Sequence, residues 1–129
     1  MQSVKQLVDN ANARVRTVTI QEALPLVNDA GTVFVDLRDS AELNRDGKIP
    51  GAVHVNRGML EFVLDASTPY HNPVFTSGKS IIFYCASGGR SALAAETAQS
   101  TGVSNVSHLG GGFKAWIAAG GPCLAGTMA

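Results

Sequence analysis

The chain has 129 residues, within the span of about 100–200 that one domain occupies, and its 45% hydrophobic and 16% charged residues supply one core while excluding a disordered polyelectrolyte. A tandem pair of domains is excluded by length. Ten Lys and Arg balance ten Asp and Glu, and with no basic run to neutralise a row of phosphates, nucleic acid is not an expected partner.

Val4, Leu7, Val8 and Ala11 recur at i, i+3, i+4 and i+7, so the chain opens on an amphipathic helix, and residues 1–16 form a helical extension of a single domain over residues 1–129. Thr19 with Glu22 makes a capping box ahead of a helix carrying Ala23, Leu24 and Val27, with Pro25 early enough to be tolerated. Residues 32–37 are a short, β-branched apolar run ending in charge, the pattern of a buried parallel strand. Ser40 starts a short helix that Gly47 and Pro50-Gly51 end. Ala52-Val53-His54-Val55 is a second short strand, followed by a helical stretch with Met59, Leu60, Phe62, Val63 and Leu64 and a turn over residues 68–73. Ser80-Ile81-Ile82-Phe83-Tyr84-Cys85 is the most apolar strand and belongs at the centre of the sheet, with a helix over residues 90–99 after a Gly-Gly loop. Residues 105–109 form the next strand and residues 113–119 a final helix, stopped by Gly120-Gly121-Pro122. This alternation predicts an α/β fold, a parallel central sheet with helices on both faces.

Apolar stretches such as Ala92-Leu93-Ala94-Ala95 fall far below the ~20 residues of a membrane span, and Met1-Gln2-Ser3-Val4-Lys5 lacks the apolar centre of a secretion signal. The expectation is a cytoplasmic protein without a membrane partner. Cys85 and Cys123 are the two cysteines; they form no disulfide framework, and neither has a second Cys or His at zinc spacing. Cys85 is therefore read as a lone thiol, with no metal.

In open α/β sheets, ligands bind beyond the carboxyl ends of the strands, which is where Cys85 lies. The segment Cys85-Ala86-Ser87-Gly88-Gly89-Arg90-Ser91 places a thiol, small residues and then a cation at the mouth of a helix. Small residues let successive N–H groups turn inward as an anion nest, and the helix dipole with Arg90 favours thiolate over thiol. The plainer reading of Cys85 is a core thiol ending an apolar strand; the Gly-Gly-Arg loop behind it favours catalysis.

Four segments resemble, in order, the motifs of a single-domain rhodanese, a sulfurtransferase that carries a persulfide on one cysteine. They are Val35-Asp36-Leu37-Arg38, Gly47-Lys48-Ile49-Pro50-Gly51-Ala52, the loop from Tyr84-Cys85 to Ser91, and Leu109-Gly110-Gly111-Gly112-Phe113-Lys114-Ala115-Trp116. The resemblance implies that Cys85 is the sulfur-accepting nucleophile, that a small-molecule donor such as thiosulfate supplies sulfur, and that cyanide, a thiol or a protein accepts it. It implies neither a metal nor an organic cofactor. On this reading the N–H groups of Ala86, Ser87, Gly88, Gly89 and Arg90 stabilise the persulfide anion, and Arg90 attracts an anionic donor. Four residues separate Cys85 from Arg90, one fewer than in the related Cys-based phosphatases and arsenate reductases, and a smaller ring of donors suits one sulfur anion better than a tetrahedral oxyanion. Two other readings stay open: such a phosphatase or arsenate reductase, and a non-enzymatic persulfide carrier, sensor or partner-binding module.

Other residues take plainer roles. Asp36 and Arg38 at a strand end are read as structural support, and Arg57 as a solvated surface charge. Ser87 and Ser91 are read as capping residues without a catalytic role. His54, His71 and His108 match no metal-ligand spacing and are read as structural or surface imidazoles, so a His-assisted thiol has no support in the sequence. Cys123 is read as incidental rather than a resolving thiol. Phe113, Trp116 and Ile117 mark one buried helix face, with Trp116 a core anchor.

Overall fold

The computed structural model describes residues 1–125. Its frame is one five-stranded sheet in the order β1-β5-β4-β2-β3, all neighbours parallel. The strands are β1 (Arg16–Val18), β2 (Thr32–Asp36), β3 (Val53–His54), β4 (Ser80–Tyr84) and β5 (Val106–Leu109). The helices are α1 (Val4–Arg14), α2 (Ile20–Ala23), α3 (Ser40–Asp46), α4 (Leu60–Leu64), α5 (Gly89–Ser100) and α6 (Gly112–Ala118).

Because side chains alternate along a strand, β4 feeds two cores. Ile81 and Phe83 join Val35, Leu60, Leu64, Ala94, Ala95 and Ala98 on one face. Ile82 and Tyr84 join Phe34, Ile20, Ala23, Phe113 and Trp116 on the other. Helices α4 and α5 thus cover one face and α2 and α6 the opposite one, giving the mixed α/β fold with helices on both faces. The alanines of α5 are short enough for its backbone to lie close against the sheet.

Three differences from the sequence reading have local causes. The helix after the Thr19–Glu22 capping box is one α-helical turn, and Leu24–Asn28 continues as a 3-10 helix. Pro25 has no N–H to donate and its ring crowds the preceding turn, so the α-helical ladder stops there. The segment Arg16–Val18 is a strand paired with β5, although only Val18 of the three is buried. Helix α1 forms with a Ser3–Gln6 capping box, but its apolar stripe is only partly used: Ala11 is buried against α5 while Val4 and Leu7 are exposed.

Candidate active site

The central strand ends by delivering Cys85 to the mouth of α5, the longest helix of the fold. The thiol is buried, and the Gly88 N–H donates to Sγ at 3.2 Å. That N–H reaches the sulfur because Gly88 has φ of 115°, a backbone conformation open to a residue without Cβ. Among the described residues the N–H groups of Ala86, Ser87, Gly89 and Arg90 have no protein acceptor. They form, with the positive end of the α5 dipole, a field that favours an anion beside Cys85.

The loop is held from below by α6. Phe113 N–H donates to the Cys85 carbonyl at 2.8 Å and Lys114 N–H to the Ala86 carbonyl at 3.0 Å. The approach is so close that a Cβ on Gly112 would lie 2.6 Å from the Cys85 carbonyl oxygen. The run of glycines before Phe113 is therefore part of the site's support.

Arg90 does not stand free. Its guanidinium donates to both carboxylate oxygens of Glu42, on α3, at 2.8 and 2.9 Å. The positive charge of Arg90 is thus shared with a carboxylate 48 positions away, for which the sequence carries no local signal. Glu42 is held at about 2, chiefly by the Arg90 hydrogen bond and against the opposing effect of burial. Arg90 is in turn raised, first by Glu42 and also by the Cys85 charge.

A pH dependence follows. The Glu42 pKa is depressed on folding, so its stabilisation is complete above its ordinary value near 4.5 and is lost as pH falls through about 2. The Arg90 side chain is 41% exposed, so solvent screening leaves about 1 kcal/mol. Urea unfolding of wild type and Glu42→Gln is expected to differ by that amount at pH 7, with the gap closing between pH 4.5 and 2; a gap independent of pH would exclude the pair as its cause.

Asp36 and Arg38 form a buried pair at the end of β2. Arg38 Nη2 donates to Asp36 Oδ2 at 2.6 Å and to the Gly47 carbonyl at 2.7 Å, and Arg38 Nε donates to Asp36 Oδ1 at 3.0 Å. The guanidinium lies over the Phe113 ring, 4.3 Å from its centroid. Tyr84 packs beside it, its hydroxyl raised well above the usual phenol range, first by burial and then by the Asp36 charge. Between these groups and the Cys85 loop lies a cleft of about 530 Å³ lined by Glu42, Arg45, Asp46, Ala86, Phe113 and Lys114 among others.

Two residues read as plain from sequence touch the thiol network. Ser91 is buried with Oγ 3.6 Å from Cys85 Sγ, and His108 Nδ1 is 3.0 Å from Ser91 Oγ. The available signal was position: His108 lies near the carboxyl end of the strand beside β4, where such folds place their sites. His54 and His71 are elsewhere, bonded to the carbonyls of Arg38 and Val63. Arg57 pairs with Glu61 on the surface, and Cys123 is exposed, packed at Gly47 and Leu124. No helix among the described residues is long and apolar enough to cross a membrane.

The same architecture occurs in proteins of known sequence. The chain is 30% identical over 105 residues to thiosulfate sulfurtransferase/rhodanese-like domain-containing protein 3 of Mus musculus, covering 78% of this chain and 67% of the mouse protein. It is 32% identical over 102 residues to the thiosulfate:glutathione sulfurtransferase of Saccharomyces cerevisiae, covering 75% of this chain and 73% of the yeast protein. A structure from Rhodopseudomonas palustris, described as a protein of unknown function and "possible tyrosine phosphatase", superposes with a TM-score of 0.93 at 47% identity, over 96% of each chain. The rhodanese-like domain matches residues 19–119, from the capping box of α2 through the Cys85 loop to the end of α6, and the chain belongs to that family.

Proposed function

We propose that this chain is a sulfurtransferase that moves sulfane sulfur from a donor such as thiosulfate to a thiol or cyanide through a persulfide on Cys85. The observation that carries the reading is the Gly88 N–H on Cys85 Sγ, in a loop with only four residues between Cys85 and Arg90. The sulfurtransferase names of the mouse and yeast relatives support it.

The Cys85 thiolate attacks the outer sulfur of thiosulfate, an S–S bond forms, and the bond to the inner sulfur breaks with its electron pair leaving as sulfite. The product, Cys85–S–S⁻, puts its charge on the outer sulfur. The N–H groups of Ala86, Ser87, Gly88, Gly89 and Arg90 are the donors for that charge. An acceptor thiolate or cyanide then attacks the outer sulfur and Cys85 thiolate leaves, closing the cycle without a cofactor. The cleft beside Ala86 admits the acceptor, and Asp36 and Arg38 hold its floor. A cytoplasmic setting would keep the thiol reduced.

The neighbour described as a possible tyrosine phosphatase makes phosphate-ester hydrolysis the second outcome to test. The expected result is that reduced protein exposed briefly to thiosulfate gains the mass of one sulfur atom, that cyanide removes it, and that Cys85→Ser never acquires it. No gain, together with Cys85-dependent hydrolysis of p-nitrophenyl phosphate, would replace the sulfurtransferase reading. Loading followed by negligible release to cyanide and thiols would reduce the protein to a persulfide carrier.

A further inference from the structure

A line of contacts leads inward from the thiol. Cys85 Sγ lies 3.6 Å from Ser91 Oγ, Ser91 Oγ 3.0 Å from His108 Nδ1, and His108 Nε2 2.7 Å from Asn12 Oδ1 and 3.2 Å from Thr17 Oγ1. The end of β4, α5, β5, α1 and β1 each contribute one member. Cys85, Ser91 and His108 are 1%, 0% and 2% exposed, so water meets the line only at its outer end, where Asn12 and Thr17 are exposed.

Donor and acceptor chemistry sets the direction of the protons. The Asn12 amide oxygen can only accept, so the His108 hydrogen resides on Nε2. A neutral ring then presents a bare lone pair at Nδ1, which the Ser91 hydroxyl satisfies. With its hydrogen aimed at Nδ1, Ser91 turns an oxygen lone pair to the Cys85 thiol. Among the described residues the other acceptor bonded to that hydroxyl is the Gly88 carbonyl, 3.2 Å from Ser91 Oγ, and an amide oxygen is too weak a base to take the proton.

We infer that Ser91 and His108 form a proton relay that generates the Cys85 thiolate, with Asn12 holding the imidazole in the tautomer the relay needs. The Cys85 S–H bond breaks as its proton passes to Ser91 Oγ, and the Ser91 hydroxyl proton passes to His108 Nδ1. The products are a thiolate and an imidazolium, with Ser91 unchanged in charge and its hydroxyl now pointing at sulfur. His108 is a positioning and proton-holding residue, since it meets the sulfur only through Ser91.

Burial lowers the His108 pKa, and a negative charge on the far side of Ser91 acts in the opposite sense, favouring the charged ring. Cys85 is the titratable group facing the ring through Ser91. The charged groups of the flanking elements are paired elsewhere: Asp9 with Lys5, Arg14 with Glu96, Arg16 with Glu22 and Arg90 with Glu42. Asn12 and Thr17 precede residue 19, where the family match begins, so the outer anchor of the relay is built from residues outside the matched domain.

The relay deepens the role proposed for Cys85, and its test needs no sulfur donor. In a Cys123→Ser background, the rate of Cys85 alkylation by iodoacetamide is followed against pH for the full chain. Asn12→Asp places a carboxylate on Nε2, favours imidazolium and is expected to move the midpoint down by about one pH unit; His108→Gln removes the proton acceptor and is expected to move it up by a similar amount. In Cys85→Ser the His108 ring, followed by NMR, is expected to titrate at lower pH than in the parent. Unmoved midpoints in folded Asn12→Asp and His108→Gln overturn the relay, and if His108→Gln fails to fold, Asn12→Asp and the NMR titration decide alone. Thiosulfate loading with unmoved midpoints rejects the relay and leaves the sulfurtransferase reading intact; shifted midpoints without loading do the reverse.

Discussion

Asp36→Ala is expected to destabilise the protein by about 3–5 kcal/mol, the cost of leaving a buried charge without its partner. Arg38 is 1% exposed and Asp36 fully buried, so no water can replace the lost carboxylate. What remains for the guanidinium is the Gly47 carbonyl and the faces of the Phe113 and Tyr84 rings, and none of these carries a net charge. Replacing both members, as Asp36→Ala with Arg38→Met, removes the charge and the need for its partner together, and is expected to recover part of the loss. Urea unfolding at pH 7 measures both. A loss below about 1 kcal/mol for Asp36→Ala, the size of a solvated pair, would show that water reaches the site. The effect extends to function because Arg38 bonds the carbonyl of Gly47, which ends the helix carrying Glu42, the partner of Arg90.

Gly112→Ala is expected to damage stability and chemistry together. Gly112 has φ of 65°, and an added Cβ would meet the Cys85 carbonyl oxygen at 2.6 Å and the Ala86 carbonyl carbon and oxygen at 2.7 Å. These are backbone atoms and cannot rotate aside, so α6 must retreat and lengthen the bonds from Phe113 and Lys114 that hold the loop. The strained φ and the clash each cost about 1–3 kcal/mol. A displacement of this kind also moves the Cys85 thiol, and on the proposed function sulfur uptake by the folded fraction is expected to fall by about a hundredfold. Gly120→Ala is the control: its φ is 77° but a Cβ there would meet nothing within 4 Å, so it should bear the backbone cost with uptake unchanged. Equal uptake in Gly112→Ala and wild type would remove α6 from the account of the site.

The parts of the fold legible in the sequence are those coded by neighbours in the chain. The apolar run at residues 80–84, the capping box at Thr19 and Glu22, and the small residues after Cys85 each act within a few positions, so periodicity and residue chemistry disclose them. The placement of Cys85 at the end of the central strand followed from the same local signals. Contacts between distant positions had no such signature. Arg90 meets Glu42 across 48 positions, and His108 meets Asn12 across 96. Strand β1 lacks a local signature for a related reason: one buried residue in three makes no alternating pattern, and the segment becomes a strand only because β5 lies alongside. In α1 the helical period is plain in the sequence, but periodicity does not say how much of an apolar stripe a neighbour will cover.

The sheet is bounded on one side by three-residue β1 and on the other by two-residue β3. Unpaired backbone donors and acceptors along an exposed strand are the template on which a second chain can add, and their number grows with strand length. Brief borders, with Arg16 exposed on one of them, leave too little ribbon for another molecule to register against. The apolar strand that leads to Cys85 stays flanked on both sides, so its backbone donors and acceptors are not offered to a second chain.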